Sequence, residues 1–298
     1  MKLFFLSVLL VLAAALPGRA DEQKSQVMLA SGGDEEAPFV QRGEDQIRKK
    51  DYHDSKTIIL DEGKTSSNPI ASKGNIIGAG FIHPEPLVTL SMKGTSSERD
   101  ILTLGDQVYM ADDGKVSVGD RLVSGRPILD AKEPETGRSL GKVIDVSGVI
   151  TVTAKKDGVL IGTIDSAFFD VRTSDLLFPY VEPVLVYEPV PFNTKLKGVW
   201  GYIVASRGNE PATTTGDVLY IDMGYDKGVM PGDRFSVRRS GGTAPVPEGQ
   251  RYEIPKAYVL PDVKVGEVQV ISVRKDTATL QLLSATEPVL PGFRVYYK

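Results

Sequence analysis

The chain of 298 residues contains no cysteine, a single tryptophan and two histidines, His53 and His83. Without cysteine there are no disulfides, so each domain has to be held by its own packed core. The usual signatures of catalysis are missing too: there is no Cys nucleophile, no H-E-x-x-H, no G-x-S-x-G and no phosphate-cradling glycine loop with Lys. Gly74, Gly78 and Gly80 fall short of a dinucleotide fingerprint, because no helix and no third spaced glycine follows, and they read as strand or turn glycines. The formal net charge is −4 and no basic block interrupts it, so binding to a nucleic-acid backbone is not expected. The sequence predicts no enzyme activity, no cofactor and no metal.

Long apolar runs are also scarce. The longest covers residues 3–16, between Lys2 and the small-x-small Gly18-Arg19-Ala20, and this is the layout of a secretory signal peptide cleaved before Asp21. Nothing later reaches the length of a transmembrane helix, so no membrane segment is expected after cleavage. An exported chain free of cysteine points to the bacterial periplasm, with association to the outer membrane or cell wall. Residues 21–75 are polar and too poor in apolar side chains to offset the entropy of ordering, and are expected to form a disordered tether.

What the chain does have, it has twice. Gly105-Asp106-Gln107-Val108-Tyr109-Met110 is matched by Gly216-Asp217-Val218-Leu219-Tyr220-Ile221. Val116-Ser117-Val118-Gly119-Asp120-Arg121-Leu122 is matched by Val229-Met230-Pro231-Gly232-Asp233-Arg234-Phe235. A glycine-led β-rich run follows each, Gly141-Lys142-Val143 and Gly266-Glu267-Val268, and Ser166-Ala167 to Val171 aligns with Ser284-Ala285 to Val289. An ordered series of blocks at an offset of about 110 to 125 residues is an internal duplication. Short β-favouring runs, frequent turn signals and little helical periodicity predict an all-β fold of two tandem modules, each a small SH3-like barrel or a sandwich. The modules cover residues 76–181 and 198–298, joined by a stiff proline-containing linker over 182–197. Gly80-Phe81-Ile82 is expected to open the first module as Trp200-Gly201-Tyr202 opens the second. A single transmembrane β-barrel is disfavoured by the proline-rich connection and by the irregular strand lengths.

Asp106, Asp120, Asp217 and Asp233 are the tempting carboxylates, as metal ligands or as a general acid and base. Their recurrence in both copies favours a structural role, each Asp accepting turn amides while its glycine supplies the special dihedral. Trp200, Tyr202, Tyr225, Tyr252 and Tyr258 are candidate contacts to a partner or a sugar; core packing accounts for each equally well, and exposure separates the two readings. The segment between Gly232 and Gly266 is about 12 residues longer than its counterpart between Gly119 and Gly141, which makes it a candidate contact region.

These blocks resemble the C-terminal modules of bacterial envelope proteins that carry an N-terminal LysM motif, written G-D-x-[VL]-Y-[ILM] and then V-x-x-G-D-R-[FL]. They are similar, more distantly, to the C-terminal SH3-like domain of flagellar assembly protein T. No LysM sequence lies between Asp21 and Asn75, so the resemblance carries over the β modules and not the glycan-binding motif. It implies a non-catalytic scaffold or adaptor docking onto an envelope protein assembly, the alternative being a module that binds peptidoglycan or an exported polysaccharide. The sequence does not set the oligomeric state.

Overall fold

Runs rich in Val, Ile, Leu, Thr and Tyr alternate inward and outward along the chain, and each stops at a turn of Gly, Asp or Asn. The structure, a computed structural model, describes residues 68–87, 89–96, 99–209, 213–244 and 258–298. The expected signal peptide, most of the expected tether and His53 lie outside them. In the first half the strands are β1 (Phe81–His83), β2 (Leu90–Thr95), β3 (Ile101–Leu102), β4 (Gln107–Ala111), β5 (Arg121–Lys132), β6 (Ser139–Lys156), β7 (Val159–Ala167), β8 (Val171–Arg172) and β9 (Leu176–Pro179). In the second they are β10 (Trp200–Ser206), β11 (Val218–Ile221), β12 (Arg234–Arg239), β13 (Thr243–Ala244), β14 (Tyr258–Val259), β15 (Val263–Val273), β16 (Ala278–Ala285) and β17 (Arg294–Tyr297). The fold is all-β, with two sheet bodies, and all their pairings are antiparallel.

The second body is a closed barrel in the order β10-β11-β16-β15-β12-β17. The first is a 7-stranded sheet, and its added β6–β7 pairing joins β2-β4-β7-β6-β5-β9 into a ring of the same order, with β1 lying outside on β6. The two rings match residue by residue. Both first strands carry a bulge, between Met92 and Gly94 and between Ile203 and Ala205. Both β5–β6 and β12–β15 shift register at the equivalent place, after Ser124 and after Val237. The interiors are filled alike: Val108, Met110, Leu122, Ile150, Val152 and Ile164 occupy the places of Leu219, Ile221, Phe235, Val268, Val270 and Leu282. Each ring is therefore a packed apolar core without an open edge, the arrangement that duplication of one folding unit produces.

The register corrects several expectations. Gly148 sits opposite Ala167 as Gly266 sits opposite Ala285, so the counterpart of Gly266 is Gly148 and not Gly141. A Cβ at either position would lie 2.6 Å from a carbonyl oxygen, that of Ser166 or of Ser284, so both rings need glycine at this close approach. With that alignment the second module's loop is only about 5 residues longer than its counterpart. The counterpart is no loop: beyond the ring, β5 and β6 continue as a hairpin arm, residues 126–132 against 139–145. Gly80-Phe81-Ile82 does not open the first ring either. Leu90 pairs with Leu177 as Gly201 pairs with Val295, which makes β2 the partner of β10 and β1 an addition to the arm. Gly74 and Gly78 lie within a short helix, α1 (Lys73–Gly78), which Ser72 caps by accepting the Asn75 N–H at 3.2 Å. Gly78 packs closely there, since a Cβ would sit 3.1 Å from the Phe168 ring, which would have to shift slightly to admit it.

The arm lies on the second barrel. Ala131, Leu140 and Val143, with Ile82 from β1, pack on Tyr202, Val204, Ala205 and Tyr220. The Tyr220 hydroxyl donates to Ala79 O at 2.7 Å and the Thr279 hydroxyl to Gly80 O at 3.2 Å, which ties the end of α1 to the second barrel. The proline-containing linker is extended but fastened: Leu196 enters the second core, and Glu188 pairs with Arg234. Gly148→Ala and Gly266→Ala should each lower stability in urea unfolding by about 1–3 kcal/mol, because backbone must move to admit the methyl. Gly74→Ala, at a helical position where the nearest atom to a Cβ is 3.7 Å away, should cost about 1 kcal/mol or less. Equal losses at all three would show that the close approach plays no part.

Candidate docking face

The four Gly-Asp turns share one construction. Each glycine has a positive φ, between 86° and 96°, the conformation a type II turn needs at its third position. Each Asp carboxylate accepts the N–H three residues earlier: Thr103 to Asp106 at 2.8 Å, Ser117 to Asp120 at 2.8 Å, Thr214 to Asp217 at 2.7 Å and Met230 to Asp233 at 2.8 Å. Each turn is then stitched to the ring by a pair of backbone bonds, to Ile164, Val152, Leu282 and Val270 respectively. The carboxylates are spent on closing turns at separate places along the rings. Asp233 goes furthest: it is buried and also accepts from Asn193 Nδ2 at 3.0 Å, which holds the linker to the second barrel.

The candidate aromatics separate. Trp200 and Tyr202 come together on the outer face of the second barrel, rings 5.3 Å apart and edge to face. Tyr225 lies elsewhere, on a 3-10 turn (Tyr225–Lys227). Tyr252 and the Tyr258 side chain lie outside the described residues. Reading the sequence missed what completes the face, Tyr296, Arg294 and Arg238. Tyr296 stands 6.3 Å from Trp200, Arg294 lies over Trp200 at 5.3 Å and over Tyr202 at 5.8 Å, and Arg238 lies over Tyr296 at 5.0 Å. Asp262 accepts from the Tyr296 hydroxyl at 3.1 Å and from Arg294 at 3.4 Å, which fixes both. The signal was available in the alternation Arg294-x-Tyr296, which puts both side chains on one side of β17. Trp200 is 41% exposed, whereas Tyr202 is 9% exposed and its hydroxyl donates to Glu135 on the first module's arm.

The equivalent face of the first ring is built differently. There Val123 and Phe178 replace Ser236 and Tyr296, and Phe81 of β1 covers them together with Ile77 and Leu87. The Phe81 and Phe178 rings meet edge to face at 5.6 Å. Among the described residues no strand or helix plays the part of β1 on the second ring. Beside its face, Val259 is 80%, Leu260 43% and Val263 46% exposed.

A second feature lies between α1, the linker and the β15–β16 turn. It is a cavity of about 440 Å³, lined by Ile76, Phe81, Val184, Tyr225, Ile271 and Arg274 among others. Tyr225 thus reaches a concave site, though not the one that holds Trp200. Among the described residues no cluster of three His, Asp or Glu side chains forms a metal-binding set. No protein-family model matches the chain, and no curated protein matches it in sequence.

Asp233→Ala should lower stability by about 1–3 kcal/mol, because the Met230 N–H and the Asn193 amide lose a buried acceptor. Asp120→Ala, at an exposed turn, should cost less in the same urea titration. Asp222 is buried, and burial raises its carboxyl above the usual range, opposed by the Tyr202 N–H it accepts at 2.7 Å. A raised pKa means that the folded state binds its proton more readily than the unfolded state, so this residue costs stability at neutral pH, and the cost fades as pH falls into the ordinary carboxylate range. Asp222→Asn should therefore stabilise the protein more at pH 7 than at pH 4; an equal effect at both would contradict this.

Proposed function

We propose that the protein is a non-catalytic docking module of the bacterial cell envelope, a scaffold or adaptor that engages a protein assembly through its second barrel. The observation that carries this reading is the contrast between two equivalent faces. The first ring's face is apolar and capped by the chain's own β1, while the second ring's face presents Trp200, Tyr296, Arg238 and Arg294. Trp, Tyr and Arg are the side chains that dominate binding energy at protein interfaces. The exposed aliphatic side chains of Val259, Leu260 and Val263 supply apolar area next to them. The arm shows how such a barrel takes a partner, since it lays apolar side chains on Tyr202, Val204 and Tyr220. The commitment of all four recurrent aspartates to turns supports a binding role over catalysis. The envelope address rests on the signal-like start and on the resemblance to LysM-associated modules.

Glycan binding is the second reading, and the half-exposed Trp200 favours it. Against it, Tyr202 meets that ring on edge and Arg294 lies over it, which leaves less free aromatic surface for a sugar to stack on. The test pairs cross-linking in cells with co-sedimentation on peptidoglycan sacculi. A Trp200→Ala, Arg294→Ala double variant should keep its melting temperature and lose cross-linked protein partners about tenfold or more. Neither protein should pellet with sacculi. Saturable pelleting of the parent that disappears in the variant would establish the glycan reading in place of docking.

A further inference from the structure

The cavity between α1, the linker and the β15–β16 turn holds a cation, Arg274, that has no counterion among the described residues. Arg274 sits in that turn with its backbone clamped: its N–H donates to Thr277 O at 2.8 Å, and its carbonyl accepts the Tyr225 N–H at 3.0 Å. Its guanidinium carbon lies over the Phe81 ring, 3.6 Å from the ring centre. Part of the residue is open to the cavity, yet the guanidinium is closely surrounded by protein, and burial pulls its pKa down to about 10. It stays charged at neutral pH, at a cost in solvation. Among the described residues no carboxylate pairs with it and no side chain or carbonyl accepts a hydrogen bond from it.

The other charged groups of the cavity do not supply that partner. Glu182 is taken by Lys73 and by Arg121, the latter at 3.5 Å. Lys275 leans towards Asp226 at 3.8 Å, and Asp276 points to solvent. The remaining wall is apolar, made by Ile76, Ile77, Val181, Val184, Ile271 and Val273. Its volume of about 440 Å³ falls within the range of small-molecule sites.

We infer that this cavity is a binding site for a small monocarboxylic acid with an apolar body, its carboxylate held by Arg274 and its body by the aliphatic walls. Phe81 covers the guanidinium carbon from one side, and the N–H groups, which have no acceptor among the described residues, match a carboxylate in a two-point hydrogen bond. One planar cation suits one negative charge. A phosphate dianion would bring a second charge that the single guanidinium does not match, next to the Glu182 carboxylate. The site is distinct from the Trp200 face and does not depend on docking there.

The test is calorimetric titration of the full chain with 4-phenylbutyrate and hexanoate, their primary amides, and inorganic phosphate. The acids should bind saturably, the amides at least tenfold more weakly, and phosphate should not compete. Arg274→Met should abolish acid binding while holding or raising the melting temperature, because it removes a charge that partial burial disfavours. A guanidinium with a purely structural role gives the opposite result, a fall in melting temperature and no binding to lose. The inference is overturned if the acids show no saturation up to about 10 mM, if amides bind as well as acids, or if Arg274→Met still binds. Should that variant fail to fold, the contrast between acid and amide in the parent protein decides.

Discussion

Ring closure is the constraint on which the structure depends. A sheet that closes on itself has no free edge, but it closes only if every strand keeps its register and bends where the ring requires. The two rings solve this with the same bulges, the same close-approach glycine and the same stitched turns, in sequences that otherwise differ widely. An Asp carboxylate that accepts an amide three residues back holds each Gly-Asp turn in shape, and the turn then hands two backbone bonds to the ring. That explains why these dipeptides persist while core residues trade size, Val108 for Leu219 or Leu122 for Phe235. A core tolerates exchange of volume, whereas a turn with positive φ does not tolerate exchange of its glycine.

The same reasoning shows what could be read from the sequence and what could not. Turn chemistry is local, so the Gly-Asp pairs announced the duplication, the all-β class and their own structural role. Gly141 opens a β-rich run just as Gly148 does, and only the cross-strand partners Ala167 and Ala285 identify Gly148 as the counterpart of Gly266. Phe81-Ile82 in β1 has the composition of a ring strand, but its place outside the ring is set by pairing with Val143 and Ile144, some sixty residues away. Six residues of α1 with two glycines leave little helical periodicity to detect. Arg274 stands in a polar turn, Arg274-Lys275-Asp276-Thr277, and its local sequence suggests solvent. Its burial comes from Phe81, which arrives from the other end of the chain.

Duplication freed the outer faces to diverge while the interiors stayed alike. In one copy the face became apolar and took β1 as a permanent cover; in the other it gathered aromatic rings, arginines and an aspartate that fixes them. The arm follows the same division. In the first module it is long and packed on its neighbour, while the second module keeps the foot of that arm and, among the described residues, carries the short β13–β14 pair beyond it. One barrel's outer face is covered by the chain's own β1, and the other's leaves Trp200 half exposed.

The fastening of α1 has a consequence for how the chain is completed. Ala79 and Gly80 lie near the start of the described fold, yet they are secured by the hydroxyls of Tyr220 and Thr279, 141 and 199 residues further on. A segment made early therefore gains these two hydrogen bonds only once residues 220 and 279 have been made. The two barrels are joined less like beads on a string than like a buckle, whose tongue is threaded first and locked only when the far end of the strap comes round.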